Sequence, residues 1–176
     1  MHALTTAQIA ALQTTQILGL GPTAVGRLAE TQLAALTTSQ IKALSTSGLS
    51  GLTETGFSAL TPSQLAVLTR TALAGLAAEV VAALAPTQIA SLSTTQLAGL
   101  SSTAIAALGA DQIQALATTQ VAALTTTQVA ALTEIAADGL TETQMAALST
   151  QQVTALTDTA LESLSTTQVA ALVTAQ

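Results

Sequence analysis

The chain has no cysteine, tryptophan or tyrosine, and Phe57 is its one aromatic residue. Without cysteine there is no disulfide scaffold and no thiolate metal site. With a single histidine, His2, there is no His-dependent catalytic triad. Charge is also scarce: charged residues make up 7%, against roughly 25% in an ordinary soluble domain. Three basic residues are too few to neutralise a phosphate backbone, so no nucleic-acid partner is expected. The nine acids are scattered singly, the net charge is −6, and there is no acidic tail. A mildly acidic surface disfavours anionic membranes. Long apolar runs are missing too. Thr, Ser or Gln interrupts each one well short of the ~18 residues of a membrane span, so no membrane insertion is expected. Met1-His2-Ala3 lacks the basic and apolar regions of a signal peptide.

What remains is 49% hydrophobic, almost all of it Ala, Leu, Val and Ile, set among Thr, Ser and Gln. These residues repeat every eight positions without a slip. Leu stands at 4, 12, 20 and onward to 172, in 22 of 22 places. The consensus octad is Leu-Thr-Thr-x-Gln-Ile-Ala-Ala, as in Leu4 to Ala11 or Leu124 to Ala131. Five residues after each Leu, from 9 to 169, comes a large apolar side chain in 20 of 21 cases, Ala137 being the exception. The residue before each Leu is Ala, Gly or Ser in 20 of 22 cases, Arg27 and Val67 being the others.

One continuous helix does not fit. Eight residues at about 100° each overshoot two turns by about 80°, so the apolar stripe would wander around the helix, and no supercoil repeat matches. Strands want apolar residues at period two, whereas these alternate at spacings of five and three. One short helix per octad does fit. With Thr5 as N-cap, Gln8 falls at N3, and the pair forms a capping box. Leu4 at N′ and Ile9 at N4 then form the two ends of a hydrophobic staple. Ser or Thr fills the N-cap position in 14 of 22 octads, Gln fills N3 in 14, and eight octads have both, among them Thr37/Gln40, Thr61/Gln64 and Ser93/Gln96.

Two further features agree with this register. Pro22, Pro62 and Pro86 all fall at N1, where proline is welcome. Seven of the nine acids (Glu30, Glu54, Glu79, Asp111, Glu134, Glu142 and Asp158) fall at N1 or N2, where the helix dipole favours them. Arg70 at N1 runs against this rule. Each helix is expected to be about six or seven residues long. So short a unit cannot offset the entropy of ordering its own backbone, so stability must come from stacking neighbours. The small residue before each Leu would let adjacent helices approach closely.

Eight octads lack Gln at N3: those with Ala24, Gly48, Gly56, Ala72, Val80, Ala104, Ala136 and Ala160. Several of these positions lie 24 apart, which points to three octads per coil and a triangular tube. Two or four octads per coil remain open. Three per coil would give about seven coils and a rod of roughly 55–75 Å at ordinary helix spacing.

The string Leu-Thr-Thr-x-Gln-Ile/Val-x-Ala-Leu resembles tandem repeats of long, low-complexity bacterial proteins, some of them adhesin-like or surface-associated. The resemblance covers the whole chain. It implies an extended spacer or surface array, exported to the cell surface or secreted, and it brings no catalytic residues.

Each candidate site has a plainer structural reading. His2 lacks the clustered ligands of a metal site and reads as a terminal residue. Thr-Thr pairs such as Thr5/Thr6 and Thr125/Thr126 offer a hydroxyl array for water, ice or sugars, but also fit N-caps and solvated first turns. The Gln column offers amide ladders, but also fits capping. The octad Thr133 to Leu140 moves its apolar residue to Ile135 and places Asp138 and Gly139 before the Leu. Gly48 and Gly56 stand at N3 in consecutive octads. These two places read as bends or docking points, or as drift in a redundant array. Glu30, Glu134, Asp138 and Glu142 suggest paired carboxylates, yet their placing, Asp138 apart, follows the dipole rule. No GxGxxG motif or P-loop occurs.

The expectation is an all-α solenoid of 22 octapeptide repeats over residues 1–176, cut from a longer array, with one capped helix per repeat. Catalytic, cofactor-binding and metal sites are expected to be none, and an enzyme is the least favoured class. The leading role is a structural spacer or stalk. The alternatives are a filament unit stacking end to end and a solenoid face binding protein, glycan or ice. The expected partners are the parent protein's neighbouring repeats or the chain itself, with no small-molecule substrate apparent.

Overall fold

The computed structural model describes residues 4–175, with side chains described through Leu172; His2 lies outside them. Among the described residues there are 21 helices and no strand. Helices begin every eight residues, from Thr6 and Thr14 through Pro22 to Thr166, each at the N1 position assigned from the caps. The sequence-derived register therefore holds along the chain. α1 (Thr6–Ala10) lies under α4 (Glu30–Ala34), and α2 (Thr14–Leu18) under α5 (Thr38–Ala43); each helix packs on the third one after it. Three octads therefore make one coil, the number to which the Gln-less positions pointed.

Two expectations need correction. The helices before the last are four to six residues long, shorter than the expected six or seven, because the chain leaves most of them one or two residues before the Leu, and α5 at Leu44 itself. Most C-cap residues still have right-handed angles, as at Ala11 (φ −83°, ψ −7°), and the next N-cap is extended, as at Thr37 (φ −69°, ψ 158°). No described residue has positive φ, so the corners need no left-handed glycine. The second correction concerns the last octad. Instead of a separate helix there, α21 runs on from Thr166 to Ala175.

The core is a single column of alternating N4 and staple residues. Ile17, Val25, Ile41, Leu65, Ile89 and Ile113 are fully buried, and Leu36 to Leu156 lie almost entirely inside. The octad at Thr133 keeps this register despite its sequence. Ala137 takes the buried N4 place, and Ile135 points into solvent with 68% of its surface exposed. Its apolar residue is displaced in sequence only; the fold does not follow it. Gly139 allows this small core residue. A Cβ at Gly139 would lie 2.6 Å from the Ala110 Cα one coil below, so the helix of Glu134–Asp138 can settle on that of Ala110–Gln114. Gly48 and Gly56 form no bend either. Both are buried inside helices, their N–H groups donating to Ser45 Oγ and Thr53 Oγ1.

The small residue before Leu matters most where coils touch backbone to backbone. A Cβ at Gly51 would meet the Pro22 carbonyl oxygen at 2.1 Å, whereas one at Gly21 meets nothing within 4 Å. Gly51→Ala is therefore expected to destabilise by about 1–3 kcal/mol through overpacking. Gly21→Ala, at negative φ, should be neutral or stabilise by about 0.4–1 kcal/mol. Paired thermal and urea melts measure the difference; equal effects would mean the coils are not in close contact at Gly51.

Candidate functional site: the glutamine clamp between coils

All eight predicted Ser/Thr–Gln pairs form capping boxes. At Thr37/Gln40 the Thr37 N–H donates to Gln40 Oε1 at 2.8 Å, and the Gln40 N–H donates to Thr37 Oγ1 at 3.2 Å. The same exchange recurs at Thr5, Thr61, Ser93, Thr125, Thr141, Ser149 and Ser165. Where the N-cap is Ala or Gly, Gln still supplies half of the box: the Ala29 and Gly109 N–H groups donate to Gln32 and Gln112 Oε1.

Capping uses only one end of the amide. In eleven octads the Gln side chain is buried, and its Nε2 donates to the carbonyl of the Leu 28 residues earlier, at 2.5 to 2.9 Å. Gln40 reaches Leu12 in this way, and also Ile9 and Ala10. Those carbonyls belong to the end of a helix, where backbone acceptors lack intrahelical donors. Each Gln thus closes the start of its own helix and the end of one in the coil below. The bonds run from Gln to backbone, so the column is not an amide ladder. Sequence reasoning found the capping end and missed the other, because its partner lies 28 to 31 residues away. The 24-residue spacing of the Gln-less octads was the available signal.

The remaining candidates are used structurally. Thr5 and Thr125 are N-caps, and Thr6 and Thr126 open exposed first turns. Hydroxyls at N-cap and N2 also pair, as at Thr69/Thr71 (3.0 Å) and Thr141/Thr143 (3.1 Å). Asp138 and Glu142 line a shallow open cleft of about 470 Å³ with Thr143, Thr167 and Gln168. Among the described residues no three His, Asp or Glu side chains gather as a metal site. Nor is any helix there long and apolar enough to cross a membrane.

These features define the class: a helical repeat protein, built as a solenoid of capped octapeptide helices. A sequence family described as the ALTTAQ repeat matches residues 81–118, and the hexapeptide Ala-Leu-Thr-Thr-Ala-Gln itself stands at 3–8. In the structure that hexapeptide pattern supplies the staple, the N-cap, the first turn and the clamp. No curated protein matches the chain.

Gln128 tests the clamp. It is buried, accepts from the Thr125 N–H at 3.0 Å and donates to the Leu97 and Leu100 carbonyls at 2.7 and 2.9 Å. Gln128→Ala leaves those groups without partners and should cost about 1–3 kcal/mol. Gln128→Glu should cost more at pH 7, since a carboxylate would face carbonyl oxygens with no proton to give. Desolvation raises that carboxyl's folded pKa above its unfolded value of about 4.3. Stability is then retained below the unfolded pKa and lost as pH rises through the folded one. Melts from pH 4 to pH 7 should show this loss in the Glu variant and not in the Ala variant; parallel curves would refute the donor role of Nε2.

Proposed function

We propose that the chain is an extended structural spacer, a stalk segment of a long bacterial surface protein of the adhesin-like kind. The observation that carries this reading is the regularity of the stacking: each helix packs on the third one after it, and the Gln-to-Leu bond joins coils in eleven octads from Gln32 to Gln168. A step that repeats adds length by adding coils and requires no new surface. The resemblance to repetitive surface-associated proteins supports a location at the cell surface or outside the cell. An enzymatic role is not proposed, since nothing in the sequence pairs a nucleophile with a base partner.

One observation favours a second reading, that of a binding face. With three octads per coil, the N2 residues on one side are Thr23, Ser47, Thr71, Thr95, Thr119, Thr143 and Thr167, all hydroxyl-bearing and all exposed. An unbroken hydroxyl row offers donors and acceptors at coil spacing to a glycan or to ordered water. A glycan screen with no retention, together with no thermal hysteresis, would remove this reading.

The spacer reading predicts that coils are interchangeable units of length. Deleting residues 85–108, three whole octads, should leave helicity per residue unchanged. It should shorten the rod by about 8–10 Å, one helix-packing distance. Circular dichroism and small-angle X-ray scattering check both points. Loss of helicity, or an unchanged maximum dimension, would overturn the modular stalk.

A further inference from the structure

Grouped by three, the octads form coils at residues 4–27, 28–51, 52–75, 76–99, 100–123, 124–147 and 148–171. The junctions between them are not alike. Gln32 and Gln40 clamp the second coil to the first. Each of the last four coils is likewise clamped twice to the one before it, from Gln88 and Gln96 through to Gln152 and Gln168. The third coil is held to the second by Gln64 alone, which donates to the Leu36 carbonyl at 2.7 Å and the Leu33 carbonyl at 3.0 Å. Gly56 and Ala72 stand in the other two N3 places of that coil.

Two further observations fall at the same junction. Across it α4, α5 and α6 (Thr46–Leu49) carry α7 (Glu54–Ser58), α8 (Pro62–Leu65) and α9 (Arg70–Ala74). These three pairs pack more thinly than the three pairs across any other junction. A cavity of about 10 Å³ also lies inside it, between Ile41, Leu44 and Leu49 on one side and Leu68, Thr69 and Ala72 on the other. That is close to the least volume that admits one water molecule, so its walls lack part of the dispersion attraction of a filled core. The cavity sits where a second clamp would run. Leu44 lies 28 residues before Ala72, and Thr69 is the N-cap of the same helix as Ala72.

We propose that this junction is an opening point built into the solenoid: residues 4–51 part from the rest of the chain as one unit before any other junction yields. The stability of a stacked array is a sum of repeat and interface terms, so the array parts at its weakest interface. Few buried contacts and few hydrogen bonds are what lower the free energy of local opening. Parting here breaks one clamp, whereas the two coils of residues 4–51 stay joined by two. Once separated, those coils lose the stacking neighbours on which helices this short depend, so their amides open together. In a spacer the same junction is where the rod bends or yields first under load. That consequence rests on the spacer reading; the opening point does not.

Native-state hydrogen exchange of the full 176-residue chain, resolved coil by coil by mass spectrometry, tests this. Fraying from an end would raise protection gradually from one coil to the next. Opening at this junction should instead give residues 4–27 and 28–51 one shared level of protection, with a step of about tenfold at residues 52–75. Gln64→Ala removes the single clamp and should speed exchange of residues 4–51 by about a further tenfold, leaving residues 100–147 unchanged. Ala72→Gln should do the reverse, because the new amide fills the cavity and reaches the Leu44 carbonyl and the Thr69 N–H; the step should shrink. Gln112→Ala leaves Gln120 as the one clamp of its junction and should create a second step between residues 99 and 100. An even climb in protection, a wild-type step at another junction, or a step unmoved by Gln64→Ala would overturn the opening point. The spacer reading is tested separately by the coil deletion and survives any of these outcomes.

Discussion

A helix of five residues is made entirely of ends. Four N–H groups at its start and four carbonyls at its finish lack intrahelical partners, and in a helix this short the two sets overlap. Every other feature of the solenoid answers that constraint. Thr or Ser at the N-cap, Gln at N3 and proline or an acid in the first turn all serve the start of the helix. At the finish the N–H of each staple Leu donates to the N4 carbonyl, as from Leu12 to Ile9 at 3.2 Å, and the chain turns the corner without a left-handed residue. In eleven octads a Gln also serves the helix-end carbonyls of the coil below. The amide suits this double duty because it accepts at one atom and donates at the other.

The clamp also explains which octads can do without Gln. On one side of the solenoid Gln is missing at Ala24, Gly48 and Ala72, on the next at Gly56, Val80 and Ala104, and on the third at Ala136 and Ala160. These runs are contiguous along each side. Apart from Ala24, in the first coil, the residues in them are buried. Small or apolar side chains there bring no donor to the coil below and need no acceptor of their own. They let helices sit directly on one another, as the glycines at 51 and 139 do by a different route. The solenoid therefore has two ways of joining coils, a hydrogen-bonded one and a close-packed one, and both keep the same eight-residue step.

Most of the local structure was legible in the sequence because its interactions span three or four residues. The N1 register, the eight capping boxes and the proline positions each depend on neighbours within one octad. The helix length was overestimated because nothing in the Ala-Ala-Leu run marks where the helix stops; the corner is set by packing on the next coil. Ile135 misled because apolarity alone names a core residue. The periodic frame of 21 other octads holds the N4 place for Ala137 and leaves Ile135 in water.

The sequence alone determined the fold class, the octad and the start of each helix, because capping and stapling are local and recur too often to be coincidental. The 24-residue spacing of its Gln-less octads also pointed to the number of octads per coil. Only the tertiary structure decided what the far end of each Gln does and which glycines are needed for contact. Those depend on groups 24 to 31 residues apart, brought together when one coil settles on the last. An octapeptide carries no record of that pairing until it is stacked.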